Sequence, residues 1–287
     1  MVNIIIGSNS SIGQSLVDHL KKKKLSNNYL FFSKSNKNKG KFLKLDLDSD
    51  IKILKNLPIN NCFFLSSPRY VKKNFSKKKY EKEFTWIKKV VENCNIKKMI
   101  YLSSSTIYQK NHFIGVNKLK IERYLSSRKK KFKILQIWRP FNLVSFNQKQ
   151  LTDHFHNFLF KIIFIQKKKF HLFQGNAEDK RGYSSTNEFV KKLYNLSKKN
   201  KSFINNYGNP DLITVKNIIE IFNKNQKKNF TTKLKYKFKS KKHNINSVIN
   251  LNRKNTIYSR LKSYKVINNF LLQTLKNFRI KPKKVFR

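Results

Sequence analysis

The chain has 287 residues and a formal net charge of +51, from 65 basic and 14 acidic side chains, with 39% hydrophobic and 14% aromatic residues. That apolar content excludes a wholly disordered basic protein and suffices for one large domain or a domain with a smaller lobe. The charge comes from 56 lysines against 9 arginines, in a chain whose single alanine is Ala177 and which is rich in Asn, Ile and Phe. These residues have AT-rich codons, so the bias reads mainly as compositional drift. Surfaces that clamp phosphates or read bases favour the planar fork of arginine. The lysine runs at 21–24, 77–79, 129–131 and 167–169 are scattered, as solvated helix ends and loops would be. Specific nucleic-acid binding is not expected, and a polyanion-binding protein is the third-ranked reading.

The first half alternates strand and helix patterns. Val2–Ile6 is a short β-branched run ending at Gly7, and 10–24 carries Ile12, Leu16, Val17 and Leu20 at helical spacing before four lysines. Strands follow at 29–32 and 42–45, a short helix at 51–57, a strand at 62–65 and a long helix at 80–94. A fifth strand, 98–102, runs into Ser103, Ser104, Ser105 and Thr106; a helix covers 117–127 and a sixth strand 134–138. This order implies a doubly wound parallel sheet with right-handed crossovers. Beyond Phe141 the pattern loosens, with helices at 155–166, 187–198, 215–225 and 264–275, and strands at 169–173 and 233–238. The expected architecture is α/β: a Rossmann-type domain over 1–142 and a smaller α+β substrate lobe over 143–287, in which 183–198 returns to the first domain.

Cys62 and Cys94 are too few and too far apart for a disulfide framework or a zinc site, which fits a reducing cytoplasmic setting. His154 and His156, two residues apart, fall on different helical faces, so no metal is expected. The opening apolar run is too short for a secretory leader, and 155–166, interrupted by Lys161, is too short to span a bilayer.

Gly7 and Gly13 frame a strand, a tight turn and a helix start, the arrangement that lets backbone N–H groups approach a pyrophosphate at the positive end of a helix. Gly7-x5-Gly13 is similar to the G-x-x-G-x-x-G turn of the extended short-chain dehydrogenase/reductases, the NAD(P)-dependent nucleotide-sugar epimerases and dehydratases, with Ser10 in place of the second glycine. Further motifs of that family occur in order. Leu45-Asp46-Leu47 resembles the strand-three D-L at adenine, and Phe64-Leu65-Ser66-Ser67 the H-L-A-A that lines the cofactor. Residues 101–108, YLSSSTIY, resemble S-S-S-x-V-Y, whose catalytic hydroxyl would be Ser104, with Tyr108 on the substrate side. Trp138-Arg139-Pro140-Phe141-Asn142 resembles L-R-P-F-N, which implies Pro140 at the nicotinamide and Asn142 at the substrate diphosphate. Arg181-Gly182-Tyr183 with Glu188 resembles R-D-Y-I-H-V-x-D, whose arginine binds that diphosphate, and 204–209 followed by Thr214-Val215 resembles Y-N-I-G…T-S/V.

The resemblance implies a nucleotide-sugar substrate, such as a surface-polysaccharide precursor, and a homodimer formed through the helices around the Tyr–Lys segment. Cofactor contacts would come from Gly7, Ser10, Ser11, Ile12, Gly13, Ser33, Lys34, Asp46, Leu47, Leu65, Ser66, Lys118 and Pro140. One motif departs. The Y-x-x-x-K pair maps onto Ile114 and Lys118, within 114–122, so the lysine is kept and the tyrosine is replaced. The family's tyrosine exchanges a proton with the substrate hydroxyl, and isoleucine carries none. Only nine residues separate Ser104 from Ile114, which implies a trimmed substrate-side loop. Tyr108, His112 or another titratable group could supply the proton, the chain could bind cofactor and sugar without reacting them, or the gene could be decaying along with its composition. The leading expectation is an enzyme with reduced activity and Ser104 and Lys118 as its catalytic residues; the alternative is a silent dinucleotide-binding protein. At the end of strand two, Ser33-Lys34-Ser35 holds no acid for ribose hydroxyls, which favours NADP(H) over NAD(H).

Overall fold

A computed structural model of the chain describes residues 1–49, 51–68, 77–109, 112–145, 155–227, 234–239 and 255–280. In chain order the elements are β1 (Val2–Ile6), α1 (Ser11–Lys22), β2 (Tyr29–Ser33), β3 (Phe42–Lys44), α2 (Lys52–Lys55), β4 (Ile59–Phe64), α3 (Lys77–Asn93), β5 (Ile96–Leu102), α4 (Phe113–Ser127) and β6 (Ile134–Pro140). They continue with β7 (Leu143–Val144), α5 (Phe155–Phe160), β8 (Phe170–Gln174), β9 (Lys180–Gly182), β10 (Ser184–Ser185), α6 (Thr186–Ser197), β11 (Phe203–Gly208), β12 (Leu212–Thr214), α7 (Val215–Lys227), β13 (Lys235–Lys239), β14 (Thr256–Tyr258) and α8 (Ser263–Ile280). The chain divides into two compact units, one of Met1–Pro140 with Thr186–Tyr207 and one of Phe141–Ser185 with Gly208–Arg287.

In the first unit the strands lie in the order β11-β6-β5-β4-β1-β2-β3, each neighbouring pair parallel. From β1 the chain winds outward in one direction through β2 and β3, and from β4 in the other through β5 and β6. Right-handed crossovers therefore put α1 on one face and α3 and α4 on the other. With both faces covered, the strands must be apolar throughout, and Ile4, Phe32, Phe64, Tyr101 and Ile137 are all buried in one core cluster. Trp138 packs edge-on against Phe189 of α6 and Phe203 of β11. The order of strands reverses between β1 and β4, and such a switch point is where open α/β sheets take ligands, beyond the carboxyl ends of the strands.

The structure differs from the sequence expectation in several places. Helix α4 begins at Phe113, four residues before the predicted start, so Ile114 stands in its first turn. The 155–166 segment is α-helical only to Phe160 and widens into a π-helical turn over Lys161–Ile165. Strand β11 is an added member of the sheet, its signal hidden by Asn205 and Asn206, a residue type depleted in strands.

The second unit has its own core, including Phe160, Ile163, Phe222, Ile267 and Leu271. It carries small two-stranded pairings: β7 with β10, parallel; β9 with β12, antiparallel; and β8 with β13, parallel. Among the described residues, no helix is long and apolar enough to cross a membrane, and no three His, Cys, Asp or Glu side chains gather as a metal site. His154 lies outside the described residues.

Candidate functional site

At the carboxyl end of β1, Gly7 adopts φ +90°, a left-handed conformation that favours glycine. The Gly7 and Ser8 amides both donate to the Phe32 carbonyl, at 2.8 and 3.0 Å, which anchors the turn on β2. A Cβ on Gly13 would stand 2.2 Å from the Gly7 carbonyl oxygen, so α1 approaches the turn more closely than any other residue allows. Ser10 takes the N-cap of α1: its Oγ accepts the Gly13 amide at 3.0 Å. The Ser11 and Ile12 amides precede any intrahelical carbonyl and stand at the positive end of the helix dipole, where an anion is favoured. Sequence reasoning placed Ser10 at the cofactor; its hydroxyl is used within the turn itself. Ser10→Ala is expected to cost about 1 kcal/mol, measured by urea unfolding.

Beside the turn, a neutral polar network ties it to the end of β2. Asn9 Nδ2 lies 2.8 Å from both Ser33 Oγ and Ser35 Oγ and 2.9 Å from Asn36 Oδ1, and Asn36 Nδ2 donates to the Phe31 and Leu43 carbonyls. Lys34 is exposed and pairs with Asp46 at 2.7 Å and with Asp48 at 3.9 Å. Its ammonium holds the Asp46 carboxyl below the usual range. Leu47 and Leu65 are buried, while Ser66 is half-buried with its amide nitrogen 2.7 Å from where a Gly7 Cβ would be.

At the end of β5, Ser104 caps the short turn Ser105–Tyr108; its Oγ accepts the Thr106 amide at 3.2 Å and the Thr106 hydroxyl at 3.0 Å. Gly115 lets α4 pack onto this turn, since a Cβ there would stand 2.1 Å from the Thr106 carbonyl oxygen. Lys118 faces inward. Its Nζ is 2.6 Å from Glu83 Oε1 of α3, donates to the Leu102 carbonyl at 2.9 Å and sits 5.1 Å from the centre of the Tyr101 ring. Glu83 also accepts the Tyr101 hydroxyl at 3.1 Å and the Ser67 hydroxyl at 2.9 Å. Burial and the adjoining Glu83 carboxylate push the Tyr101 phenol well above its ordinary value, so it stays a donor.

A second buried carboxylate anchors the other side of α4. Glu122 accepts the Ser103 hydroxyl and is clasped by Arg139, whose Nε is 3.1 and 3.2 Å from its two oxygens. Arg139 Nη1 donates to the Tyr108 hydroxyl at 2.8 Å, and Tyr108 in turn donates to Asn206 Oδ1 at 2.7 Å. Tyr108, one candidate to replace the missing acid, thus has its hydroxyl built into this network. His112, the other, precedes α4 and stacks on Phe113, and burial lowers its pKa, which favours the neutral ring. Pro140 ends β6, paired with Tyr207 of β11.

Within the second unit, Asn142 has φ +37° and donates its side-chain amide to the Gly182 carbonyl at 3.1 Å. Arg181, next to that glycine, lies beside the Tyr183 phenol, while its Nε is buried with no partner among the described residues. Gly182 is held against Asn209, whose carbonyl oxygen would be 2.1 Å from an added Cβ. In the first unit Gly7, Ser10, Ser11, Ile12 and Gly13 form one turn with Ser66 against it, Ser33 is bonded to Asn9 of that turn, Lys34 pairs with Asp46, Lys118 is bonded to the Leu102 carbonyl at the end of β5, and Pro140 stands apart at the end of β6. Glu83, Asn9, Asn36 and Asn206 were not expected from the sequence. Nothing in the sequence singles out Glu83, because α3 also carries Glu81 and Glu92 among its lysines.

No protein-family model matches the chain, and no curated protein matches it. Solved structures do. One is a UDP-N-acetylglucosamine 4-epimerase from Bacillus cereus, at 18% identity and TM-score 0.67 over 95% of this chain and 96% of that one. Another is a GDP-L-fucose synthetase from Naegleria fowleri bound to NADP, at 12% identity and TM-score 0.67 over 97% and 94%. A third is TunA, an NAD-dependent NDP-hexosamine 5,6-dehydratase of tunicamycin biosynthesis, at 14% identity and TM-score 0.70 over 95% and 98%. The chain has the fold of the nucleotide-sugar epimerases and dehydratases that its motifs resemble.

Proposed function

We propose that this chain is an NAD(P)-dependent protein of the nucleotide-sugar epimerase/dehydratase type, acting on a sugar nucleotide with its proton-transfer step impaired at position 114. The observation that carries this reading is the Gly7–Gly13 turn. Its two close approaches and the free first-turn amides of Ser11 and Ile12 fit a dinucleotide pyrophosphate. When bound, the dinucleotide supplies hydride transfer. Ser11 and Ile12 hold its phosphates, Leu47 and Leu65 offer apolar contact, and Ser104 presents a hydroxyl to the substrate. The buried Nε of Arg181, without a hydrogen-bond partner among the described residues, supports the diphosphate role implied for that residue, and the Asn142 side-chain amide is held on the Gly182 carbonyl.

NADP(H) is the favoured cofactor. The end of β2 offers Ser33 and Ser35, bonded to Asn9, in place of an acid, and exposed Lys34 is held by ion pairs with Asp46 and Asp48, which a 2′-phosphate can displace. Lys34→Gln is expected to weaken NADPH binding about tenfold and to leave NADH within about twofold, measured by fluorescence titration. The test of the whole reading is the same titration of the wild-type chain with NADPH and NADH, followed by incubation with UDP- and dTDP-4-keto sugars. Saturable binding with slow turnover supports it; no binding of either dinucleotide at low salt overturns it. The capture of Lys118 by Glu83, together with Ile114, favours a second reading, a silent dinucleotide-binding protein, which binding without turnover would select.

A further inference from the structure

Resting on that reading of the site, we infer that Glu83 is a positioning residue that holds Lys118 and cancels its charge at position 114. The chain then lacks the acidifying cation as well as the hydroxyl. Lys118 and Ile114 are four residues apart on α4, so they share one face, and a cation at 118 is the near neighbour of whatever stands at 114. A cation lowers the pKa of a neighbouring phenol only through its net field. Here the ammonium lies 2.6 Å from a carboxylate that is 1% exposed, and the pair acts as a dipole rather than as a free charge.

The surroundings fix it there. Lys118 spends a second N–H on the Leu102 carbonyl and covers the Tyr101 ring, while Glu83 takes two further donors, Tyr101 and Ser67, from β5 and from the segment after β4. The other titratable groups near this turn of α4 do not restore a positive field. Glu122, one turn further along, is clasped by Arg139; His112, before the helix, is held toward its neutral form; and Tyr80 of α3, whose carbonyl accepts the Asn117 side chain, is a phenol. Nothing here depends on bound dinucleotide.

The experiment is a pH titration of the phenol introduced by Ile114→Tyr, followed by ultraviolet difference spectra against the matched parent, with and without Glu83→Gln. With Glu83 present, the new phenol should titrate as an ordinary or weaker acid. With Glu83→Gln, its acid constant should rise about tenfold or more as the field of Lys118 is released. Equal acid constants in the two backgrounds overturn the proposal. If the Glu83→Gln protein does not fold, the neutral pair Glu83→Gln/Lys118→Gln serves instead. A change of less than about threefold on removing both charges supports cancellation, and a tenfold weaker phenol overturns it. The titration uses the protein without dinucleotide, so it stands apart from the NADPH binding test: either can fail without the other.

Discussion

Lys118→Met is expected to destabilise the protein by about 3–5 kcal/mol at neutral pH, read as a shift of the urea midpoint at unchanged slope. The reason is the carboxylate left behind. Glu83 is 1% exposed, and losing its cation leaves a buried charge with the Tyr101 and Ser67 hydroxyls as its remaining donors among the described residues. The deficit should also depend on pH. A neutral carboxyl costs far less to bury than a carboxylate, so the deficit narrows as pH falls. The double variant Lys118→Met/Glu83→Met should recover most of the loss, because well-packed apolar residues often replace a buried pair at little cost. A loss below about 1 kcal/mol for Lys118→Met would mean that solvent reaches the pair and that its charges are not held as the burial implies.

This prediction turns on a residue that the sequence presents poorly. Lys118 is one of 56 lysines, and in a chain drifting toward lysine its identity alone says little. What separates it from the others is burial, which depends on α4 packing against α3, and no local pattern reports that. The strands of the first unit were legible for the opposite reason. A parallel sheet covered on both faces demands apolar residues at nearly every position, so Val2–Ile6 and the 134–138 run declare themselves. Strand β11 did not, because Asn206 is buried to receive the Tyr108 hydroxyl rather than to fill the core. The start of α4 was misplaced because Gly115 reads locally as a helix breaker, whereas here it is the residue that lets the helix touch Thr106. In the second unit, β7, β9, β10, β12 and β14 are two or three residues long, too short for any alternation to show.

Gly13→Ala should lower dinucleotide affinity tenfold or more and stability by about 1–3 kcal/mol. The added methyl would stand 2.2 Å from the Gly7 carbonyl oxygen and 2.9 Å from Ser10 Oγ and from the Ser8 carbonyl carbon, and two of those three atoms are backbone. No side-chain rotation relieves that overlap. The first turn of α1 must move away from the glycine turn, and the Ser11 and Ile12 amides move with it. Gly175→Ala separates this from a general glycine effect. Gly175 has φ +128° with nothing within 4 Å of an added Cβ, and it belongs to the second unit. Its substitution should therefore cost backbone strain, about 1–3 kcal/mol, while NADPH affinity stays within about twofold. If both variants lose affinity in proportion to their loss of stability, the turn has no special part in binding. If Gly13→Ala alone loses it, the close approach of α1 to β1 is what presents the phosphate-binding amides, and the serine at position 10 has served as a helix cap without displacing that function.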